Sequence, residues 1–262
     1  MKKFTKLTAF ALALVMALGL LAGCGGSNSD NSTPSGDDAS DAAKTKLVVA
    51  TSPDFPPFES LEGGEVVGIE VDILKKVAEK MGMELDLQQM DFDSVIPGVQ
   101  AGKFDVGMSG ITVTDKRKEN VDFSSVYFMA AQAIVVTADS GITGKADLEG
   151  KKVSVQTGTT AEEYCMGNGY EVLAFTANND AAAALTAGKV DAWVVDNEVA
   201  LAMAPELGLT VLDEAMTSEP YAFAFQKGSE LVAPFNEALD ALLADGTIEQ
   251  IFQQYGVTYI AP

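Results

Sequence analysis

The chain has 262 residues, with 17 Lys and Arg against 38 Asp and Glu, two cysteines and no histidine, for a formal net charge of −21. That excess of negative charge excludes binding to nucleic acid or to an anionic membrane through a general electrostatic field. The missing histidine removes the commonest general base and metal ligand, the two cysteines form no cluster, and no acidic stretch has EF-hand spacing, so no metal and no cofactor are expected.

The opening residues read as an export signal. Lys2, Lys3 and Lys6 precede an uncharged, largely apolar run, Thr8 to Leu21, of fourteen residues. That is the length of a signal-peptide core and too short to span a bilayer. The run ends Leu21-Ala22-Gly23-Cys24, the pattern of bacterial lipoprotein signals. Residues 1–23 are therefore expected to be removed. Acylation of Cys24 would then hold the chain at a membrane by lipid alone. The alternative is an ordinary secreted protein with a chance cysteine. Loss of the three lysines takes the formal charge from −21 to −24. The other cysteine, Cys165, has no intrachain partner once Cys24 is lipidated and reads as a small buried hydrophobe. Residues 24–45 are rich in Gly, Ser, Asn, Asp and Thr and hold no large apolar side chain before Leu47. Such a segment is a flexible linker with a reach of roughly 25 Å.

From residue 46 onward strands and helices alternate, which predicts a largely parallel α/β architecture. Leu47–Ala50 reads as a buried strand, and 72–81 as a helix with Leu74, Val77, Ala78 and Met81 on one face and Gly82 as its stop. Strand 84–87, helix 94–100 and strand 104–108 follow, then a turn over 110–117 rich in hydroxyls and charges. A second series begins near 131–137. It continues with strand 152–156, helix 159–166, strand 171–175, helix 180–187, strand 191–195, helix 197–203 and strand 209–212. A returning strand is expected over 221–225, and closing helices over 231–243 and 247–255. The phrase Ala101-Gly102-Lys103-Phe104-Asp105 is echoed by Ala187-Gly188-Lys189-Val190-Asp191, as two similar α/β lobes would produce.

Several segments carry a family resemblance. In order they are Thr51-Ser52-Pro53-Asp54-Phe55-Pro56-Pro57-Phe58-Glu59, Gly68-Ile69-Glu70-Val71-Asp72, Gly110-Ile111-Thr112-Val113-Thr114-Asp115-Lys116-Arg117, Val121-Asp122-Phe123-Ser124, Gln156-Thr157-Gly158-Thr159-Thr160 and Asp245-Gly246-Thr247. With this set the chain resembles the solute-binding proteins of polar-amino-acid ABC transporters, the family-3 type, over nearly all of 46–262. The resemblance implies a two-lobed, periplasmic-binding-protein-like fold of type II, with two hinge crossings and a ligand cleft between the lobes. It places lobe 1 at 46–127 plus 221–262 and lobe 2 at 131–217. The expected partners are a free L-amino acid and an ABC permease with its cytoplasmic ATPase, and a monomer that is not an enzyme is expected.

The resemblance also implies site roles. Arg117 offers a planar fork for the ligand carboxylate; taken alone it reads as a solvated surface charge. Thr160, with the backbone at the start of its helix, would help hold the same carboxylate, or the pair Thr159-Thr160 is simply an N-cap. Asp196 would be the counter-ion of the ammonium, or a capping aspartate. The Gly110 carbonyl, the Thr112 hydroxyl and Ser109 complete the ammonium cage. Phe55 and Phe92 would flank the ligand side chain, where an aromatic is otherwise ordinary core. Ser52, Asp54 and Gln156 line the variable end. Many relatives that take basic amino acids carry aspartate where Ser52 stands, so either Asp54 or Asp93 would have to substitute. A basic or neutral polar amino acid is favoured, and a dicarboxylate is not, because no further arginine stands at a pocket position. Alternatives are an exported dehydratase, with Asp196 or Glu198 as acid, and a ligand-sensing subunit of a membrane receptor.

Overall fold

The computed structural model describes residues 45–262. The expected lipoprotein signal and nearly all of the expected linker therefore lie outside the described residues. Chain order is β1 (Lys46–Thr51), β2 (Asp54–Phe55), β3 (Glu59–Glu62), β4 (Glu65–Val67), α1 (Ile69–Met81), β5 (Glu84–Gln89), α2 (Phe92–Gln100), β6 (Val106–Gly107), α3 (Asp115–Lys118), β7 (Val121–Phe123) and β8 (Phe128–Ala130). Then come β9 (Gln132–Val136), β10 (Lys152–Gln156), α4 (Thr160–Gly167), β11 (Glu171–Phe175), α5 (Asn178–Thr186), β12 (Ala192–Asp196) and α6 (Asn197–Met203). The chain ends with β13 (Thr210–Val211), β14 (Glu219–Tyr221), β15 (Ala224–Gln226), α7 (Val232–Ala244) and α8 (Thr247–Gln254).

Two five-stranded sheets carry the architecture, in the orders β5-β1-β6-β15-β7 and β11-β10-β12-β9-β13. In each, four strands run one way and a single strand, β15 or β9, lies antiparallel between two of them. The sheets are joined through β8 and β14, which pair antiparallel with Phe128 opposite Tyr221. This is the two-lobed, type II α/β fold with two crossings. Phe58, Phe128, Tyr221 and Phe252 pack beside the crossings, with Phe128 and Phe252 stacked at 4.5 Å and Phe58 edge-on to Tyr221 at 5.2 Å. Rings that interlock in this way fill the joint without voids and limit how it bends.

The echoed phrase is structural. Gly102 and Gly188 take φ of 68° and 65° just past α2 and α5, the left-handed stop that glycine adopts without strain. Asp105 then meets β1 at two points: its amide donates to the Val48 carbonyl at 2.8 Å, and its Oδ2 accepts from the Val48 amide at 2.9 Å. Asp191 repeats both bonds on Lys152 of β10, each at 2.8 Å. The same aspartate device thus sets the helix-to-strand corner in both lobes.

Parts of the chain depart from the expected elements. Helix α1 begins at Ile69 rather than 72, because Gly68, at φ 140°, lies so close to the Phe58 carbonyl that a Cβ there would stand 2.2 Å from it. The single returning strand of 221–225 is two strands: β14 pairs with β8 and β15 with β6 and β7, so the chain changes sheets within it. The small sheet β2-β3-β4 was not expected at all; its strands are two to four residues long, too short to show alternation. Cys165 is fully buried and unpaired, and burial pushes its thiol up to about 12, so it is an inert hydrophobe, as read from the sequence.

Candidate functional site

Between the sheets lies a small cavity. Most of the expected site residues line it: Phe55, Phe92, Ser109, Gly110, Thr112, Arg117, Gln156, Thr160 and Asp196. Each arrives by a distinct local route. Phe55 ends β2, and Phe92 opens α2. Ser109, Gly110 and Thr112 stand on the segment leaving β6, where Ser109 Oγ accepts from the Ser52 amide at 2.9 Å. Gly110 is turned to φ 53°, and a Cβ there would meet the Phe55 ring at 2.6 Å, so only glycine fits. Its amide donates backwards, at 2.8 Å, to the buried Glu70 of α1, which also accepts from the Tyr127 hydroxyl.

Arg117 stands on the one-turn helix α3, capped by Thr114. Its Nη1 donates to the Thr112 carbonyl at 2.8 Å and its Nη2 to the Gly158 carbonyl, from the other lobe, at 3.1 Å. The guanidinium also lies over the Phe92 ring at 5.7 Å. These contacts hold the fork at the cavity wall, which a purely solvated surface charge would not need. Thr159 is the N-cap of α4, accepting from the Glu162 amide at 3.2 Å. The first turn of α4, Thr160 and Ala161 included, forms part of the wall, where a helix presents unpaired N–H groups. The Thr160 hydroxyl donates to Glu219 and accepts from Gln132, both at 2.9 Å. Asp196 occupies the N-cap position of α6 yet makes no capping bond; its carboxylate instead accepts from the Tyr221 hydroxyl.

Ser52 and Asp54 are the exceptions. Neither lines this cavity; both face a second, more open depression. The physical reason is that the Asp54 carboxylate is drawn to the start of α5. Its Oδ2 accepts from the Asn178 amide at 2.6 Å and from Gln156 Nε2 at 3.1 Å, while Ser52 Oγ donates to Oδ1 at 2.9 Å. Asp93 and Glu198, the other carboxylates considered, do not line the cavity either. Sequence reasoning missed Asn178, which is 1% exposed and lines the wall. It sits two residues before the expected helix start, in a run of Asn and Ala that carries no site signal.

Residues 47–258 match the bacterial extracellular solute-binding proteins, family 3. The chain belongs to this family. The arginine-binding extracellular protein ArtP of Bacillus subtilis is 35% identical over 243 residues, covering 90% of this chain and 92% of that one. The ABC transporter glutamine-binding protein GlnH, also of Bacillus subtilis, is 33% identical, covering 95% and 97%. Among solved structures, an ancestral arginine-binding protein bound to arginine is 41% identical, with a TM-score of 0.76 over 81% of this chain and 98% of that one.

The electrostatics of this solute-binding protein centre on three carboxyls and one guanidinium. Burial, aided by the neighbouring Glu219, raises the Asp196 carboxyl to about 7; the Tyr221 hydroxyl and Arg117 pull the other way. Burial lowers Arg117 from its ordinary value, and Glu163, Glu219 and Asp196 oppose that, so the guanidinium stays charged. Burial and the adjacent Glu70 push the wholly buried Glu59 carboxyl well above its ordinary value.

Proposed function

We propose that the chain binds a free α-amino acid outside the cytoplasm and delivers it to an ABC importer. The observation that carries this is the pairing, in one cavity, of the Arg117 fork and the start of α4 with the buried Asp196 carboxylate. An α-amino acid presents one carboxylate and one ammonium, and a desolvated cleft must satisfy both. Arg117, Thr160 and the α4 amides take the carboxylate; Asp196, the Gly110 carbonyl, Thr112 and Ser109 take the ammonium; Phe55 and Phe92 flank the side chain, with Gln156 at its far end. The names of the relatives, one for arginine and one for glutamine, support a basic or neutral polar ligand. The lobes divide as 46–127 plus 221–262 and 131–217, and ligand closes them by a hinge motion. The protein acts as a monomer, tethered at Cys24, and performs no chemistry on its ligand.

Thermal melting with a panel of amino acids tests this. At one hundred times Kd the ligand adds about 2.7 kcal/mol, a rise of about 5–10 °C for a chain of this size. Arg117→Ala should abolish the rise without unfolding the protein. No rise with any amino acid, or an unchanged rise in the variant, would sink the proposal.

A further inference from the structure

Asn178 holds an acceptor that the fold leaves unused. The residue is 1% exposed, lines the cavity, and its Oδ1 is buried without a hydrogen-bond partner among the described residues. A buried carbonyl oxygen left unpaired costs about 1–3 kcal/mol, so such atoms call for a reason. The rest of the side chain is fully committed. Its Nδ2 donates to the Asp54 carbonyl at 3.3 Å and points at Met203 Sδ at 3.6 Å. Its own amide donates to Asp54 Oδ2 at 2.6 Å. With the nitrogen held on the Asp54 side, the amide cannot flip, and the oxygen remains as the free end.

We infer that Asn178 is a specificity-determining residue. Its Oδ1 accepts a hydrogen bond from an N–H group at the far end of the ligand side chain, and the backbone carbonyl of Asp54, from the other lobe, holds the amide nitrogen in that sense. This rests on the amino-acid reading of the cavity and narrows it. The class selected is a side chain ending in an N–H donor, a guanidinium or a carboxamide. A thioether leaves the acceptor unpaired, and a carboxylate sets two acceptors against each other, so both are disfavoured. The inference also places Asp54 differently from a direct counter-ion: its carboxylate is spent on Asn178, Gln156 and Ser52 and reaches the ligand only through them.

Calorimetric titration of the purified full chain with arginine, glutamine, methionine and glutamate tests this. Glutamine and methionine are close in length and differ in the terminal donor. The wild type should prefer glutamine or arginine over methionine by about tenfold, the worth of one hydrogen bond. Asn178→Leu should bring the glutamine-to-methionine ratio close to one. Asn178→Ala, followed by melting, keeps the test valid where the leucine disturbs α5. A ratio preserved in folded Asn178→Ala, or a wild type whose tightest ligand in the panel lacks a side-chain N–H, overturns the inference. Failure to bind any of the four overturns the amino-acid reading as well, and so separates the two.

Discussion

Asp196 stands at the meeting of two demands. It must be buried to work in a dry cleft, and burial with Glu219 nearby raises its carboxyl to about 7. A ligand ammonium favours the charged form, so below about pH 7 binding must first expel a proton. Affinity should therefore fall with decreasing pH, by up to about tenfold per unit. The sign for stability is opposite. A carboxyl whose folded value lies above its unfolded one of 3.8 binds a proton more tightly in the folded state. Its contribution thus favours folding at low pH and is lost as pH rises toward about 7. Melting with and without ligand from pH 5 to 8 checks both: the ligand-induced rise should grow with pH. A rise independent of pH would remove Asp196 from the ammonium site. Arg117 shows a different point at this scale. Taken alone, Asp-Lys-Arg-Lys suggests a solvated charge, and Lys116 and Lys118 are indeed surface side chains paired with Glu163 and Asp115. Only the turn through Thr114 sends Arg117 inward.

At the scale of elements, α5 is capped from elsewhere. Its N-cap residue is Ala177, which has no side-chain acceptor, and the carboxylate that serves its first turn is Asp54, 124 residues away in sequence from Asn178. An acidic group at a helix start offsets the unpaired amides and the helix dipole. Asp54→Ala should accordingly cost about 1 kcal/mol, a fall in Tm of about 2–4 °C. Ala177→Ser, giving α5 its own cap, should recover part of that loss in the double variant; no recovery would mean that Asp54 acts through another contact. Some elements were legible in sequence to the residue: β10, β11 and α6 run over the residues expected. The segments around 54–67 and 219–226 were not, since their strands are too short to show a period and exist by pairing with distant partners.

At the scale of the molecule, the cavity depends on two lobes meeting. Arg117 reaches the Gly158 carbonyl, Lys116 pairs with Glu163, and Asp54 reaches Gln156 and Asn178. The surface pair contributes little, being largely exposed; the bonds around Asp54 and Arg117 lie at or beneath the cleft and favour closure. The proposed anchor belongs to this scale too. Replacing Cys24 with Ser should leave ligand affinity intact, release the protein from the cell and reduce uptake, because tethering raises the concentration of binder at the permease. Uptake unchanged in cells that shed the protein would deny the anchor that role.

Local chemistry was readable from the residues alone: the alternation of strands and helices, the glycine stops and the motifs, through whose family resemblance most cavity-lining side chains were named. Each depends on neighbours a few positions apart, which a sequence displays directly. Three features emerged only when distant segments met. Asp54 was expected at the variable end of the site, and the start of α5 drew it away; Asp196 looked as much like a cap as a counter-ion, and in the fold it makes no capping bond and accepts from the Tyr221 hydroxyl. The unpaired oxygen of Asn178 is the third. Whether a polar group is satisfied depends on what the other lobe brings within hydrogen-bond reach, and that distance is set by the folding of both lobes around the hinge.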